Sequence, residues 1–243
     1  HFIEVRVPFA DLVDAHRLPL LCPTLAVMSQ PSSSPADNDA DTPTSGTGPA
    51  TYPDSGTPAG RRSTGSTPRI RPGGLRELGP VGWAVNRLGA RVTGKRDVHL
   101  FATLGHARRL FPAWLAYSGM MMPFGILDRR TTELVILRIA HVRGSVYERA
   151  HHERIGASVG LDDDEIARTT QDPASAQWTD RLRSILVAVD ELVRSKDISD
   201  DTWAELSSHL SSSELVALVQ LVAQYDGLAT SLHVLRIQPD VPR

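Results

Sequence analysis

From Leu75 onward, apolar residues recur at helical spacing, and glycine or polar punctuation falls between the runs. Residues 79–91 fit a short helix. Residues 99–119 read as one or two helices interrupted near Pro112. Met120, Met121, Met122 and Pro123 lead into a turn around Gly125. Asp128 stands where it can cap the next helix, whose apolar side holds Leu134, Val135, Leu137, Ile139 and Ala140, and Gly144 ends it. Residues 145–159 form the following helix, closed by Gly160 in the C′ position. Asp162 and Glu165 make a capping-box pair for a short helix. A long amphipathic helix covers roughly residues 174–195, with Leu182, Ile185, Leu186, Val189 and Leu192 on its inner face. Residues 200–209 form a short helix. Ser211 and Glu214 then give a second capping box, opening a helix that runs to about Leu235 and carries Leu215, Leu218, Val219, Val222, Tyr225 and Leu228. No alternating run bounded by hairpin turns occurs, so strands are not expected. The pattern predicts an all-α bundle over 75–243.

The first 74 residues differ in kind. Residues 29–74 are rich in Ser, Pro, Thr, Gly and Asp, and cannot bury enough apolar surface to offset the entropy of ordering them. A disordered N-terminal region over 1–74 is expected. Residues 1–27 open with His1 and reach the first methionine only at Met28. Their apolar stretch, Leu18 to Val27, is broken by Pro19 and Pro23. It is preceded by Glu4, Asp11 and Asp14, where a secretion signal would be basic. Two readings stand: sequence upstream of a true start at Met28, or a genuine extension.

Composition narrows the function classes. A formal net charge of −2 offers no global field for nucleic acid or an anionic membrane, and no nucleic-acid-binding module is recognisable. No uninterrupted apolar run reaches the roughly 20 residues that span a bilayer. The one cysteine, Cys22, cannot form a disulfide within this chain, so a reducing, cytoplasmic setting is expected. The expected partner is a small molecule, not nucleic acid or membrane.

Candidate chemistry concentrates in residues 133–156. On the second helix of that stretch, Ser145, Glu148 and His152 are spaced i, i+3, i+7 and share a face. Glu148 and His152 form an i, i+4 carboxylate–imidazole pair, a unit suited to proton transfer. Glu133 on the preceding helix reaches them if the two helices pack antiparallel. Structural readings compete with each of these. Ser145 and Glu148 also make a capping box, Glu133 could pair with Arg129 or Arg130, and His151 lies about 100° off the shared face. Tyr147 and His151 flank the site. No His-Glu-x-x-His or repeated carboxylate-x-x-His pattern is present, so no metal or other cofactor is expected.

The same stretch resembles the carboxymuconolactone decarboxylase / AhpD-like family. Redox members carry a helix Glu and then Cys-x-x-Cys-x-x-x-His. Laid on this sequence, the Glu falls on Glu133, the cysteines on Ser145 and Glu148, and the histidine on His152. Decarboxylase members have Glu-x-x-x-His, matched by Glu148 and His152. The flanks Leu127 to Arg138 and Gly160 to Ile166 also fit, as do Trp203 to Leu206 and Gln224 to Thr230. The resemblance implies an AhpD-like helical bundle and self-association as a dimer, trimer or hexamer. Without the two thiols, the redox members' peroxidase cycle has no redox couple here. What remains is cofactor-free acid–base chemistry of the lyase, decarboxylase or isomerase type on a small carboxylated molecule. His152 would donate the proton, Glu148 would orient it, and Glu133 would complete the relay. Arg138, Arg149 or Arg154 would bind a carboxylate. The alternatives are a non-catalytic member that binds a small ligand and an oligomeric scaffold.

Overall fold

The computed structural model describes residues 67–241; residues 1–66, including Cys22 and Met28, lie outside the described residues. The described residues form nine helices in the order α1 (Leu75–Val92), α2 (His99–Leu104), α3 (Leu110–Met121), α4 (Arg129–Arg143), α5 (Val146–Ser158), α6 (Asp163–Arg168), α7 (Asp180–Ser195), α8 (Asp200–His209) and α9 (Ser212–Leu235). No β-strand occurs among the described residues.

Local sequence accounts for most helix ends. The Asp128 carboxylate accepts from Thr131 N at 2.9 Å and starts α4. Asp162 with Glu165, and Ser211 with Glu214, bond reciprocally as capping boxes. Gly144 (φ 62°) and Gly160 (φ 93°) sit in the left-handed region that follows a helix C-terminus, where a side chain is disfavoured. Behind Gly144, Ser145 N donates to Ala140 O; behind Gly160, Leu161 N donates to Gly156 O.

Four boundaries depart from the sequence expectation. Helix α1 begins at Leu75 and kinks at Gly79 (φ 71°, ψ 174°), because Pro80 lacks an N–H and pushes the residue before it out of the helical region. The break inside 99–119 lies at 105–109, not at Pro112. Pro112 sits in the first turn of α3, where no intrahelical N–H is needed. Helix α7 starts at Asp180, behind a Thr179 cap that accepts from Leu182 N, and residues 174–178 are turn and loop. Residues just before 75 are tied to the bundle: Arg69 N donates to Leu235 O at 3.1 Å, and Gly73 N to Ala102 O at 2.8 Å.

Helix α4 is the axis of the bundle. Ten consecutive residues, Thr131 to Ala140, are buried, so it has no solvent face along that length. It packs against α5, α7 and α9. Helix α9 is long and apolar enough to cross a membrane by length and composition alone (mean hydropathy 1.3), yet Leu218, Val222, Tyr225 and Leu228 are buried in the bundle core. Helix α3 is the opposite case: it is apolar, but only Phe111 is buried, and Leu110, Tyr117 and Met120 are exposed, with Phe124 and Ile126 just beyond.

The buried axis carries a charge that needs a partner. Arg138 Nε and Nη2 donate to the two oxygens of Asp190 on α7 at 2.6 and 2.5 Å, and Arg138 Nη1 donates to the carbonyls of Thr169 and Gln171. Arg138→Met would leave Asp190 buried with only the more exposed Arg194, 2.9 Å away. A loss of about 3 kcal/mol is expected, at the low end for breaking a buried pair. Urea denaturation at neutral pH measures it; a change below about 1 kcal/mol, within the range of surface pairs, would contradict the structural role.

Candidate active site

A cavity of about 330 Å³ opens between α2, α3, α5 and α9. Most of its wall is apolar, from Leu100 and Phe101 on α2, Trp114 and Leu115 on α3, Ile155 on α5 and Leu228 on α9. Tyr147, Glu148, His151 and His152 of α5 and Tyr225 of α9 also line it. The helix spacing seen in sequence explains part of this set: Glu148, His152 and Ile155 are one turn apart along α5.

The sequence expectation of antiparallel α4 and α5 holds at the level of atoms. His152 Nδ1 donates to Glu133 Oε2 at 2.6 Å, within the buried α4–α5 contact. Glu133 is wholly buried, and Arg129 Nη2 stands 3.0 Å from its other oxygen, an ion pair whose angle does not make a hydrogen bond. Thus Glu133 serves both partners considered for it, Arg129 and the site histidine. With Nδ1 occupied, Nε2 is the His152 nitrogen available to a cavity occupant. The His152 ring also meets Tyr225 edge-on, with centroids 5.3 Å apart.

Glu148 does not play the part expected for it. It forms no hydrogen bond to His152, and it is Glu133 that orients the imidazole. Both Glu148 oxygens are buried without a hydrogen-bond partner. Ser145 occupies the N-cap position of α5, but its side chain makes no capping bond, so the capping box read from sequence is not formed. The Glu148 carboxyl lines the cavity close to the Ser145 hydroxyl, and the Ser145 N–H that would complete a capping box is donated to Ala140 O instead.

The arginines named as carboxylate clamps are elsewhere. Arg138 is bound to Asp190, away from the cavity. Arg149 pairs with Glu153 at 2.7 Å, and Arg154 Nη1 donates to Thr93 O at 3.3 Å. Among the described residues, no arginine or lysine lines the large cavity. The physical reason lies in helix phase: Arg138 sits on the α7 side of α4, opposite a buried aspartate that no local pattern announces.

Tyr147 and His151 belong to a second cluster at the cavity edge. Their rings stack with centroids 4.6 Å apart, Tyr147 Oη donates to Asp240 Oδ1 at 3.0 Å, and His151 Nε2 lies 3.0 Å from Asp240 Oδ2. Asp240 also accepts from His99 N at 2.8 Å. The aspartate ties the C-terminal segment to α2 and α5. Burial pushes the Tyr147 hydroxyl up, and the Asp240 charge adds to the rise.

Tyr225 is the site residue that sequence reading places only in the core. It sits among apolar residues at helical spacing, where a tyrosine is indistinguishable from filling. Burial pushes its hydroxyl up, and the nearby Glu133 and Glu148 carboxylates push it further. Among the described residues no group of three or more His, Cys, Asp or Glu side chains is gathered as for a metal ion.

Burial pushes the Glu148 carboxyl up to about 7; the Ser145 hydroxyl and Arg143 pull it down in part, and Asp226 adds to the rise. An unfolded glutamate loses its proton near 4.5. Between those values the folded chain holds a proton that the unfolded chain has lost, so stability falls as pH rises from about 4.5 to about 7 and stays lower above. The effect is on the order of 3 kcal/mol. Glu148→Gln cannot ionise and is expected to lose this dependence. Chemical denaturation at pH 5 and pH 8 tests it: the variant's stability relative to wild type should be clearly higher at pH 8, and no difference between the two pH values would refute a partnerless buried Glu148.

Residues 108–191 match the model of the carboxymuconolactone decarboxylase family. No curated protein sequence matches the chain. Among solved structures, an AhpD-core peroxidase-related protein from Ralstonia eutropha JMP134 is 16% identical with a TM-score of 0.62, over 72% of this chain and 93% of that one. A peroxidase-related protein from Silicibacter sp. TM1040 is 14% identical with a TM-score of 0.61, over 72% and 94%. A variant of the debrominase Bmp8 in complex with 2,3,4-tribromopyrrole is 14% identical with a TM-score of 0.60, over 70% and 90%. At these identities the likeness shows the fold: an AhpD-like all-helical bundle within which residues 108–191 match the carboxymuconolactone decarboxylase family model.

Proposed function

We propose that this chain is a cofactor-free acid–base enzyme that moves a proton on a small organic molecule held in the α2–α3–α5–α9 cavity, and that it is not a thiol peroxidase. The observation that carries this reading is the contrast between two buried carboxyls beside one imidazole. Glu133 is bound to His152 and Arg129, while Glu148 faces the cavity with no partner. The positions taken by cysteines in redox members are held by Ser145 and Glu148, neither of which has a two-electron thiol cycle.

The chemistry follows from those placements. His152, with its Nδ1–H donated to Glu133, presents Nε2 as a base toward a substrate C–H. Glu148 in its acid form gives a proton to the oxygen on which negative charge develops. Delivery of the proton now on His152 Nε2 to a neighbouring carbon of the enol, with the enol O–H proton returned to the Glu148 carboxylate, yields an isomer and restores both groups. Tyr225, edge-on to His152, limits how the imidazole can turn. The debrominase of similar fold, in complex with a small ring compound, supports a small-molecule role for a cavity in this fold. Self-association, implied by the family resemblance, would have the exposed Leu110, Tyr117, Met120, Phe124 and Ile126 to cover.

Exchange of carbon-bound hydrogen for deuterium from solvent tests the reading whatever the final product. A panel of cyclic ketones and lactones in D2O is followed by NMR with wild type, Glu148→Gln and His152→Ala. Loss of about 10²–10⁴-fold in the exchange rate is expected for each variant, the usual contribution of a positioned acid or base. Exchange at the wild-type rate in both variants would remove the proposed site. Retained binding of a panel member with no exchange in any form would favour the ligand-binding alternative.

A further inference from the structure

Charge is unevenly distributed around the cavity. The arginines nearest to it do not line its wall, and each has a partner of its own. Arg129 is on Glu133 at 3.0 Å, Arg143 on Asp226 at 3.0 Å and on Thr230, Arg149 on Glu153 at 2.7 Å, and Arg154 on the Thr93 carbonyl. His151 is held by Asp240. The groups that do reach the cavity from α5 and α9 are the Glu148 carboxyl, two phenols, the Gln224 amide and two imidazoles, one held by Glu133 and the other by Asp240.

Shape and polarity divide the same space. Phe101, Trp114, Leu115, Met122, Ile155 and Leu228 form an apolar wall, and two of these are flat rings that meet edge to face at 6.4 Å. On that side the polar pair is Gln224 and Ser118, and Gln224 Nε2 is already donating to Ser118 Oγ at 2.9 Å. The pair is partly satisfied by its own bond, whereas neither Glu148 oxygen is taken up and His152 Nε2 makes no bond, so the strongest polar attachment for an occupant lies with Glu148 and His152. A carboxylate brought into this space would lose its hydration, meet no guanidinium or ammonium in the wall, and add a second negative charge near the buried Glu133 carboxylate behind His152. A neutral molecule avoids those penalties and gains from apolar and ring contact.

We infer that the cavity selects an uncharged, flat, largely apolar molecule with one hydrogen-bonding group directed at Glu148 and His152, and rejects carboxylates of the same shape. The inference rests on the acid–base reading of this cavity for where the polar group points, and on the lining alone for the charge. It replaces the carboxylated substrate implied by the family resemblance, whose required cation is not among the residues of the wall.

Nitrobenzene and benzoate test it, since they are nearly identical in outline and differ by a full negative charge. Dissociation constants for both are measured by ligand-observed NMR on the full chain at pH 6.5. Nitrobenzene is expected to bind at least tenfold more tightly. Leu115→Trp and Ile155→Phe each fill the apolar end, and whichever folds should weaken nitrobenzene at least fivefold. Equal affinity, a preference for benzoate, no binding of either probe, or undiminished binding in a folded filled variant overturns the inference. The acid–base reading is judged separately. A nitrobenzene preference beside unimpaired exchange in His152→Ala sinks that reading alone, and a benzoate preference beside lost exchange in His152→Ala sinks the substrate class alone.

Discussion

Two charged side chains on one buried helix constrain the rest of the bundle. Along α4, Glu133 and Arg138 sit among residues with no access to solvent. An unpaired charge at such a position is strongly destabilising, so each must find a partner. Arg138 finds Asp190, which fixes how α7 lies across α4. Arg129, one turn back on α4, supplies the positive charge for Glu133, and the His152 imidazole donates to its other oxygen, which fixes α5. The helical hydrophobic pattern would allow α4 several rotations about its axis, since all of its faces are covered. The Arg138–Asp190 pair and the Glu133–His152 hydrogen bond select one.

That selection creates the site. Once His152 is drawn to α4, the remaining length of the same α5 face is committed as well. Glu148 one turn earlier and Ile155 one turn later must face the space between α5, α2, α3 and α9. Helix α3 closes this space with Phe111 buried, Trp114 and Met121 packed against the core, and Tyr117 and Ser118 hydrogen-bonded to Gln220 and Gln224 of α9. Asp240 closes another edge by holding Tyr147, His151 and the backbone of His99 together. The site is therefore built from the α4–α5 pair and the elements that cover it.

How much of this was legible depended on the range of the interactions. Capping boxes at Asp162 and Ser211, the Asp128 cap and the C′ glycines act within five residues, and their sequence signals were correct. The Glu133–His152 pairing spans 19 residues but follows from a helical hairpin with a short turn, so it too could be anticipated. Arg138 could not, because its partner lies 52 residues away and its own surroundings look like those of any arginine on a helix. Tyr225 was hidden for the converse reason: a tyrosine in a row of leucines reads as core, and only the cavity beside it makes it more. The Ser145-x-x-Glu148 pattern misled because a capping box competes with burial, and here the carboxyl is buried beside the cavity and the cap is left unmade.

The unmade cap bears on what the domain keeps and what it gives up. A glutamate at the third position of α5 could accept from the free helix amides and remain an ordinary exposed anion. In this chain it forgoes those bonds and sits buried with both oxygens unsatisfied, a placement that lowers stability whenever it ionises. Glu133 lies within the same small region, yet it is held by an arginine and an imidazole. In the proposed reaction, two carboxyls in such different surroundings would divide the labour of proton transfer: one fixing the base, the other exchanging its own proton. The Ser145 N–H that a capping box would use is already donated to Ala140 O at 2.8 Å, so the tight turn between α4 and α5 takes the cap away and leaves the Glu148 carboxyl to the cavity wall.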